Sequence, residues 1–321
     1  MKTSRKWLLC AALAVASAAA QAAFPEKPIQ VVVPFSAGGI SDLAARLVAD
    51  KMQARLGQPV IVENKPGAAG MIGASDVAHA RPDGYRILLG SNSTNAINSS
   101  IYAKMSYDIA GGFAPISLAG EIPSVLVARR DFPAASVAQA IEYARSKPGT
   151  VSFANGNTTG RVSGETLNRM APGMNMINVQ YKGEPNGMKD VLGGQVDLMF
   201  LNLPVAYPNI VDGRVKALGL PGGARVQELP DVPLIGETVP GYEIPNGWLA
   251  FFAPAGTPPE IVDALNGAIV SALADPEVKA KLKTSGGYIV KSSTPAELAE
   301  RVRSEIGRWA ELVSAAGIPK Q

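Results

Sequence analysis

The stretch Ile29–Arg46 constrains the fold more than any other part of the chain. Ile29–Val33 is a short apolar run rich in β-branched residues, which predicts a strand buried on both faces. Pro34–Gly39 is a tight connection. Ser41-Asp42 then caps a run with apolar residues at helical spacing. The stretch therefore predicts a strand, a Gly-rich turn and a helix in succession.

This turn has two interpretations. The first N–H groups of a helix have no internal partner, and the helix dipole favours negative charge there. Gly38-Gly39 would let a ligand approach the backbone closely, because no Cβ stands in the way. In one interpretation the turn holds a carboxylate or a phosphate. In the other it is an ordinary strand-to-helix turn whose glycines serve packing alone.

The N-terminus predicts a secretory signal peptide over residues 1–22. Lys2, Arg5 and Lys6 precede an apolar run, and Ala20-Gln21-Ala22 fits a small-x-small cleavage site. A membrane anchor is the alternative, but the apolar run is short for spanning a bilayer. Cys10, the one cysteine, lies in this segment, so the exported chain would carry neither a disulfide nor a thiol.

Removal of the signal peptide also changes the charge. Without its three basic residues, 27 of the 30 Lys and Arg residues remain against 27 Asp and Glu, so the net charge falls from +3 to zero. Aromatic residues make up only 6% of the chain. A neutral chain with few aromatic residues gives no support for nucleic-acid binding.

Strands and helices alternate along the rest of the chain with short links, which is typical of α/β units. We expect a first lobe that begins with residues 23–123, a second lobe over 124–246, and a return of residues 247–321 to the first lobe. The chain then crosses between the lobes near Pro123 and near Gly247. Two crossings make a hinge.

Two further polar runs follow predicted strands. Ser91–Asn95 consists of five small polar residues, and Asn155–Gly160 repeats the Gly and hydroxyl pattern in the second lobe, before a helix expected from Ser163. Ligands in open α/β sheets bind outside the carboxyl ends of strands. Hydroxyl and amide groups can hold an oxyanion without a full counter-charge. The alternative for each run is a solvated loop with a helix cap.

The sequence offers little for catalysis. His79, the one histidine, falls near a predicted helix end and is expected at the surface. Without a second His or a Cys there is no Ser-His or Cys-His nucleophile pair and no usual zinc site. Asp42, Glu165 and Asp197 lie near the polar runs, and sequence alone leaves open whether carboxylates pair in space. We expect no enzyme activity, no metal and no cofactor.

An ordered series of motifs then resembles one family. VVPFSAGG, VENKPGAAG, PDGY, YKG, LGGQVD, LPDVP and APAGTPPEIV are similar to the extracytoplasmic solute-binding proteins of tripartite tricarboxylate transporters, the Bug family. The resemblance spans the chain after the signal peptide. It implies a type II periplasmic-binding-protein fold: two α/β lobes with mixed, mainly parallel sheets joined by a two-strand hinge. It also implies an organic carboxylate ligand held by backbone and hydroxyl groups without a salt bridge.

Carried over residue by residue, the resemblance places the ligand between two loops and a strand end. Together with the polar run after the third strand, the expected ligand-binding residues are Phe35, Ser36, Ala37, Gly38, Gly39, Ile40, Ser41, Asp42, Ser91, Asn92, Ser93, Asn155, Asn157, Thr158, Thr159, Gly160, Arg161, Phe200 and Asn202.

The sequence departs from the family pattern in two places. Ser41 replaces the usual threonine and keeps a hydroxyl group. The second loop reads Asn-Gly-Asn-Thr-Thr-Gly-Arg-Val, in place of the usual glycine-serine-glycine-threonine type followed by histidine-leucine. Arg161 either contacts a second acid group of the ligand or is a solvated first-turn arginine.

The expected function is periplasmic capture of a small organic carboxylate and its delivery to the subunits of a cognate membrane transporter, by a monomer. The ligand could be a mono-, di- or tricarboxylate, aromatic or aliphatic, or an amino acid. Two alternatives are a receptor that reports its ligand to a membrane signalling partner and a secreted hydrolase on the same architecture.

Overall fold

A computed structural model describes residues 24–321. The predicted signal peptide, residues 1–22 with Cys10, lies outside the described residues. Two mixed β-sheets with helices packed on both organise the rest, which confirms the two-lobed α/β class. No helix within residues 24–321 combines the length and the apolar character needed to cross a membrane.

The first sheet and its helices form what we call the first lobe. The sheet has the spatial order β11-β4-β10-β3-β1-β2, with β1 (Ile29–Val33), β2 (Val60–Asn64), β3 (Arg86–Ser91), β4 (Phe113–Ile122), β10 (Gly247–Pro254) and β11 (Ile289–Val290). Its helices are α1 (Ile40–Leu56), α2 (Met71–Ala78), α3 (Asn98–Ile101), α9 (Pro259–Ala274), α10 (Pro276–Thr284) and α11 (Pro295–Ala315). A 3₁₀ turn (Ala68–Gly70) precedes α2, and a π-helical turn (Ser93–Ile97) precedes α3.

The second sheet and its helices form the second lobe. This sheet has the order β7-β6-β8-β5-β9, with β5 (Ser124–Arg129), β6 (Ser152–Asn155), β7 (Ile177–Gln180), β8 (Leu198–Asn202) and β9 (Val215–Gly219). Its helices are α4 (Val137–Ser146), α5 (Thr158–Met170), α6 (Glu184–Leu192), α7 (Leu203–Val211) and α8 (Ile235–Thr238).

The sheets contain fewer parallel pairs than the sequence predicts. Four neighbouring pairs are parallel, namely β1-β2, β1-β3, β6-β7 and β6-β8. The other five pairs are antiparallel and involve β4, β5 or β10, the strands next to the crossings between lobes. Strands β5 and β10 begin at a crossing and run away from it, so they are antiparallel to the strands that end there, β4 among them.

Burial explains why these segments form strands. Ile29 and Val31–Val33 of β1 are fully buried, as the apolar run predicts for a strand covered on both faces. Every residue of β10 is buried as well. The last residues, β11 and α11, pack on the first lobe, where β11 pairs with β4. Helices cover both sheets, and the loops described next lie at the edges where the two sheets face each other.

Candidate functional site

A cleft lies between the two lobes, at the edges where the parallel strands end. Strands β1 and β3 end there in the first lobe, and β6, β7 and β8 end there in the second. The cleft has a volume of about 480 Å³, which includes the open space at its mouth. Its lining consists of Phe35, Ser36, Gly39, Ile40, Ser41, Ser91, Asn92, Ser93, Ile122, Gly156, Asn157, Thr159, Glu184, Pro185, Asn202, Gly247, Trp248 and Leu249.

The start of α1 provides the first wall. Gly38 has φ +83°, a left-handed conformation that glycine adopts without strain, and its N–H donates to Asp42 Oδ2 at 3.1 Å. Arg46 Nη2 lies 2.8 Å from Asp42 Oδ1. Burial acts to raise the pKa of Asp42, but its bonds to Arg46 and Gly38 outweigh burial and lower it. Asp42 is therefore an ion-paired structural acid behind the wall.

The polar run after β3 provides the second part of the wall. Ser91, Asn92 and Ser93 are each at most 6% exposed, so the solvated-loop interpretation is wrong. The run enters the π-helical turn, whose Thr94 hydroxyl accepts the Ser91 N–H at 3.0 Å. Five consecutive polar residues are thus held in a buried, ordered turn with side chains that reach the second lobe.

The start of α5 faces them from the second lobe. This helix begins at Thr158, five residues before the predicted Ser163, because the Asn157 side chain caps it by accepting the Gly160 N–H at 2.8 Å. Thr158 and Thr159 thereby fall in the first turn. The two hydroxyl groups and the Thr158 N–H bond side chains of the first lobe.

Four hydrogen bonds, which we call the seam, join the lobes directly. Asn92 Nδ2 donates to Thr159 Oγ1 at 2.7 Å, and the Thr158 N–H donates to Ser93 Oγ at 3.2 Å. The Thr158 hydroxyl donates to Asn98 Oδ1 at 2.6 Å. At the cleft's other side, the Ser36 hydroxyl donates to Asn186 Oδ1 at 3.0 Å. The lobes are therefore closed on each other through neutral side chains.

The structure brings most of the predicted residues to the cleft. Those that line it are Phe35, Ser36, Gly39, Ile40, Ser41, Ser91, Asn92, Ser93, Asn157, Thr159 and Asn202. The other predicted residues are not part of the lining, and they are Ala37, Gly38, Asp42, Asn155, Thr158, Gly160, Arg161 and Phe200. Ala37 and Gly38 are exposed, whereas Asn155 is buried and donates from Nδ2 to Asn178 Oδ1 at 2.6 Å.

Arg161 is buried, so the interpretation as a solvated arginine is wrong, and a contact with the ligand stays a prediction. It is 6% exposed, and it is not among the lining residues. Its Nη1 donates to Gln321 Oε1 at 3.0 Å, and the Gln321 backbone pairs with Ile101 and Ala103 of the first lobe. Arg161 thus adds another polar link between the lobes.

Asp197, Glu165 and His79 lie outside the lining of the cleft. Asp197 pairs with Arg129 Nε at 3.0 Å and accepts the Ser152 N–H at 2.9 Å, so it ties strands together. Glu165 accepts from Asn178 Nδ2 at 3.0 Å. His79 is exposed at the end of α2, as predicted.

Sequence reasoning missed two groups of lining residues. Ile122, Gly247, Trp248 and Leu249 form the floor, where β4 and β10 pair beside the crossings. Gly156, Glu184 and Pro185 form the side where α6 begins. A signal for the second group was present: β7 lies parallel to β6, so the turn after it must reach the same edge of the sheet.

Glu184 is the one ionisable side chain in the lining that the described residues provide. It is 7% exposed, and its Oε1 accepts from the Asn202 N–H at 2.8 Å and from Asn157 Nδ2 at 2.7 Å. It makes no ion pair with a residue in 24–321. Burial raises the pKa of Glu184 to about 7, although those hydrogen bonds act to lower it.

Two closed α/β lobes, with helix starts facing each other across a cleft, define a bilobal solute-binding protein. The chain belongs to the family of tripartite tricarboxylate transporter receptors, and the model of this family matches residues 44–318. The resemblance to the Bug family is confirmed by the match to the structure of periplasmic binding protein BugD. That match has 37% sequence identity and a TM-score of 0.87, and it covers 93% of this chain and 100% of that one.

Two further relatives have solved structures with a small acid, adipate in one and malate in the other. R. palustris Rpa4515 with adipate is 33% identical with a TM-score of 0.88, over 93% of this chain and 100% of that one. MatC from Rhodopseudomonas palustris with bound malate is 34% identical with a TM-score of 0.85, over 90% of this chain and 100% of that one. This chain is therefore similar over most of its length to proteins that hold dicarboxylates.

Proposed function

We propose that this protein captures a small organic carboxylate in the periplasm and delivers it to a tripartite tricarboxylate-type membrane transporter. The supporting observation is the meeting of the α1 and α5 starts, with their neutral hydroxyl and amide groups, at one narrow cleft. The relatives described with adipate and malate support the ligand class. The signal peptide predicted from the sequence over residues 1–22 supports export.

The proposed division of the chain follows the hinge. Residues 23–123 and 247–321 would form one lobe and residues 124–246 the other, with the ligand touching both. Closure then follows from differential contact, since a ligand that contacts both lobes favours the state in which they meet. Charge-assisted bonds from neutral donors contribute about 1.5–3 kcal/mol each, so a few suffice to hold a carboxylate without an arginine.

Calorimetric titration of the signal-free chain with mono-, di- and tricarboxylates and amino acids tests this function. We expect at least one of these acids to bind, and neutral sugars to give no heat. The proposal is wrong if sugars or simple cations bind and no carboxylate does. Retention on membranes that carry the cognate transporter subunits separates transport from a sensing role.

A matched pair of variants tests the site. Thr159→Val removes a hydroxyl that lines the cleft, whereas Thr166→Val makes the same change on the same helix outside the lining. We expect Thr159→Val to weaken ligand binding roughly 5-fold, since a net hydrogen bond contributes about 1 kcal/mol, and Thr166→Val to leave it unchanged. Equal effects of the two changes would contradict the assignment.

A further inference from the structure

The cleft contains one feature that carboxylate capture leaves unexplained. Its lining is neutral except for Glu184, a carboxylate on the side opposite the α1 start. Such a group disfavours an anionic ligand when ionised, because like charges at close range repel in a poorly hydrated site. A binding site for a simple acid would be better without it.

The surroundings of Glu184 hold it in place but leave its charge unbalanced. Its hydrogen-bond donors among the described residues are the Asn202 N–H and the side-chain amides of Asn157 and Asn202, all of them uncharged. A buried carboxylate is most stable when a cation pairs with it, and within residues 24–321 no Lys, Arg or His does so.

Glu184 lies close to the loop that leads into α1. A Cβ on Gly183, the preceding residue, would fall 2.9 Å from the Ser36 hydroxyl, and one on Gly39 would fall 3.8 Å from Pro185. The start of α6 therefore packs against the loop that leads into α1. A single small molecule in the cleft can reach both the neutral donors and the glutamate.

We propose that the ligand is a small carboxylate that also carries a protonated amine, as an amino acid does, and that Glu184 is the specificity-determining residue that pairs with this amine. The inference rests on the proposed function and names its substrate class. The ligand's carboxylate meets the neutral donors at the helix starts, and its ammonium group supplies the cation that the protein does not.

The competing arrangement is a protonated Glu184 that donates a hydrogen bond to the second carboxylate of a diacid. The two arrangements make opposite predictions for an acid and its amine-free analogue. With a charged Glu184, removal of the ligand's amine abolishes the pairing. With a protonated Glu184, the amine is an unpaired cation and its removal improves binding.

Calorimetric titration at pH 8 with matched pairs tests the proposal: L-glutamate against glutarate, L-norvaline against valerate, and 4-aminobutyrate against butyrate. We expect at least one amine-bearing acid to bind about 10-fold or more tightly than its partner, a discrimination typical of one buried charge pair. Equal binding within the pairs, or tighter binding of the amine-free acids, overturns the proposal and leaves carboxylate capture standing. Binding of no acid at all refutes the proposed function as well.

A variant pair adds a second readout. Glu184→Gln keeps the shape and an oxygen for the Asn202 N–H but removes the charge. Glu311→Gln makes the same change at an exposed position on α11. We expect Glu184→Gln to bind the two members of a pair about equally, and Glu311→Gln to discriminate as the unmodified protein does. Discrimination that survives Glu184→Gln overturns the proposal, and the wild-type comparison decides the matter if that variant fails to fold.

Discussion

The buried carboxylate of Glu184 makes a specific prediction about stability and pH. Its pKa is about 7 in the folded protein, against an ordinary value of 4.5. This difference corresponds to about 3 kcal/mol between the protonated and ionised forms. The residue is 7% exposed, so water at the cleft mouth lowers this figure, and about 3 kcal/mol is an upper bound.

The sign follows from proton binding. Between pH 4.5 and 7 the folded protein binds more protons at Glu184 than the unfolded chain does, so stability falls as pH rises. The contribution of the protonated group is fully present below pH 4.5 and is lost as pH rises through about 7. Glu184→Gln has no such dependence.

Thermal unfolding of the two proteins between pH 4 and pH 8, in buffers free of carboxylates, measures the effect. Relative to the wild type, we expect the melting temperature of Glu184→Gln to rise across this range by at most roughly 6–12 °C, because about 3 kcal/mol is the upper bound and about 1 kcal/mol shifts the midpoint by about 2–4 °C. Glu311→Gln, exposed on α11, should show no such trend. The reasoning would be refuted if the difference in melting temperature between Glu184→Gln and the wild type did not change with pH, or if the wild type gained stability relative to the variant as pH rises.

Two further predictions concern packing around the cleft. Glu305 Oε2 accepts from the indole N–H groups of Trp309 at 2.7 Å and Trp248 at 3.4 Å. We therefore expect Glu305→Ala to lower the free energy of unfolding in urea by about 3 kcal/mol, and Glu305→Gln to lower it by about 1 kcal/mol. Equal losses of stability would contradict the role of Glu305 as a shared acceptor. A Cβ on Gly156 would fall 2.2 Å from the backbone nitrogen where α6 begins, so Gly156→Ala should weaken ligand binding more than 10-fold by displacing α6. Gly307→Ala on α11, with open space around it, is the control, and equal affinity of the two variants would count against the close approach.

Local patterns in the sequence predict the first wall of the site well. The strand, turn and helix over Ile29–Arg46 form as expected, because burial, a Gly-rich turn and a helix start are encoded by neighbouring residues. Near the expected crossings at Pro123 and Gly247, β4 ends at Ile122 and β10 begins at Gly247. Each of these features depends on contacts within a few residues or on a clear apolar run.

The features that sequence reasoning missed depend on distant contacts. Within the buried run Ser91–Asn95, the side chains of Asn92 and Ser93 bond the second lobe, more than 60 residues away. Arg161 pairs with Gln321, a separation of 160 residues. Glu184 follows a plain Lys-Gly turn, and only the placement of β7 beside β6 brings it to the cleft.

The seam has a consequence for delivery at the membrane. Its four hydrogen bonds must break before the lobes can part, and at about 0.5–1.5 kcal/mol each they resist opening by about 2–6 kcal/mol in addition to the grip on the cargo. The seam therefore favours the closed state in addition to the ligand. A membrane partner that competed for Asn92 or Thr159 would shift the protein toward the open state and lower its affinity for the ligand.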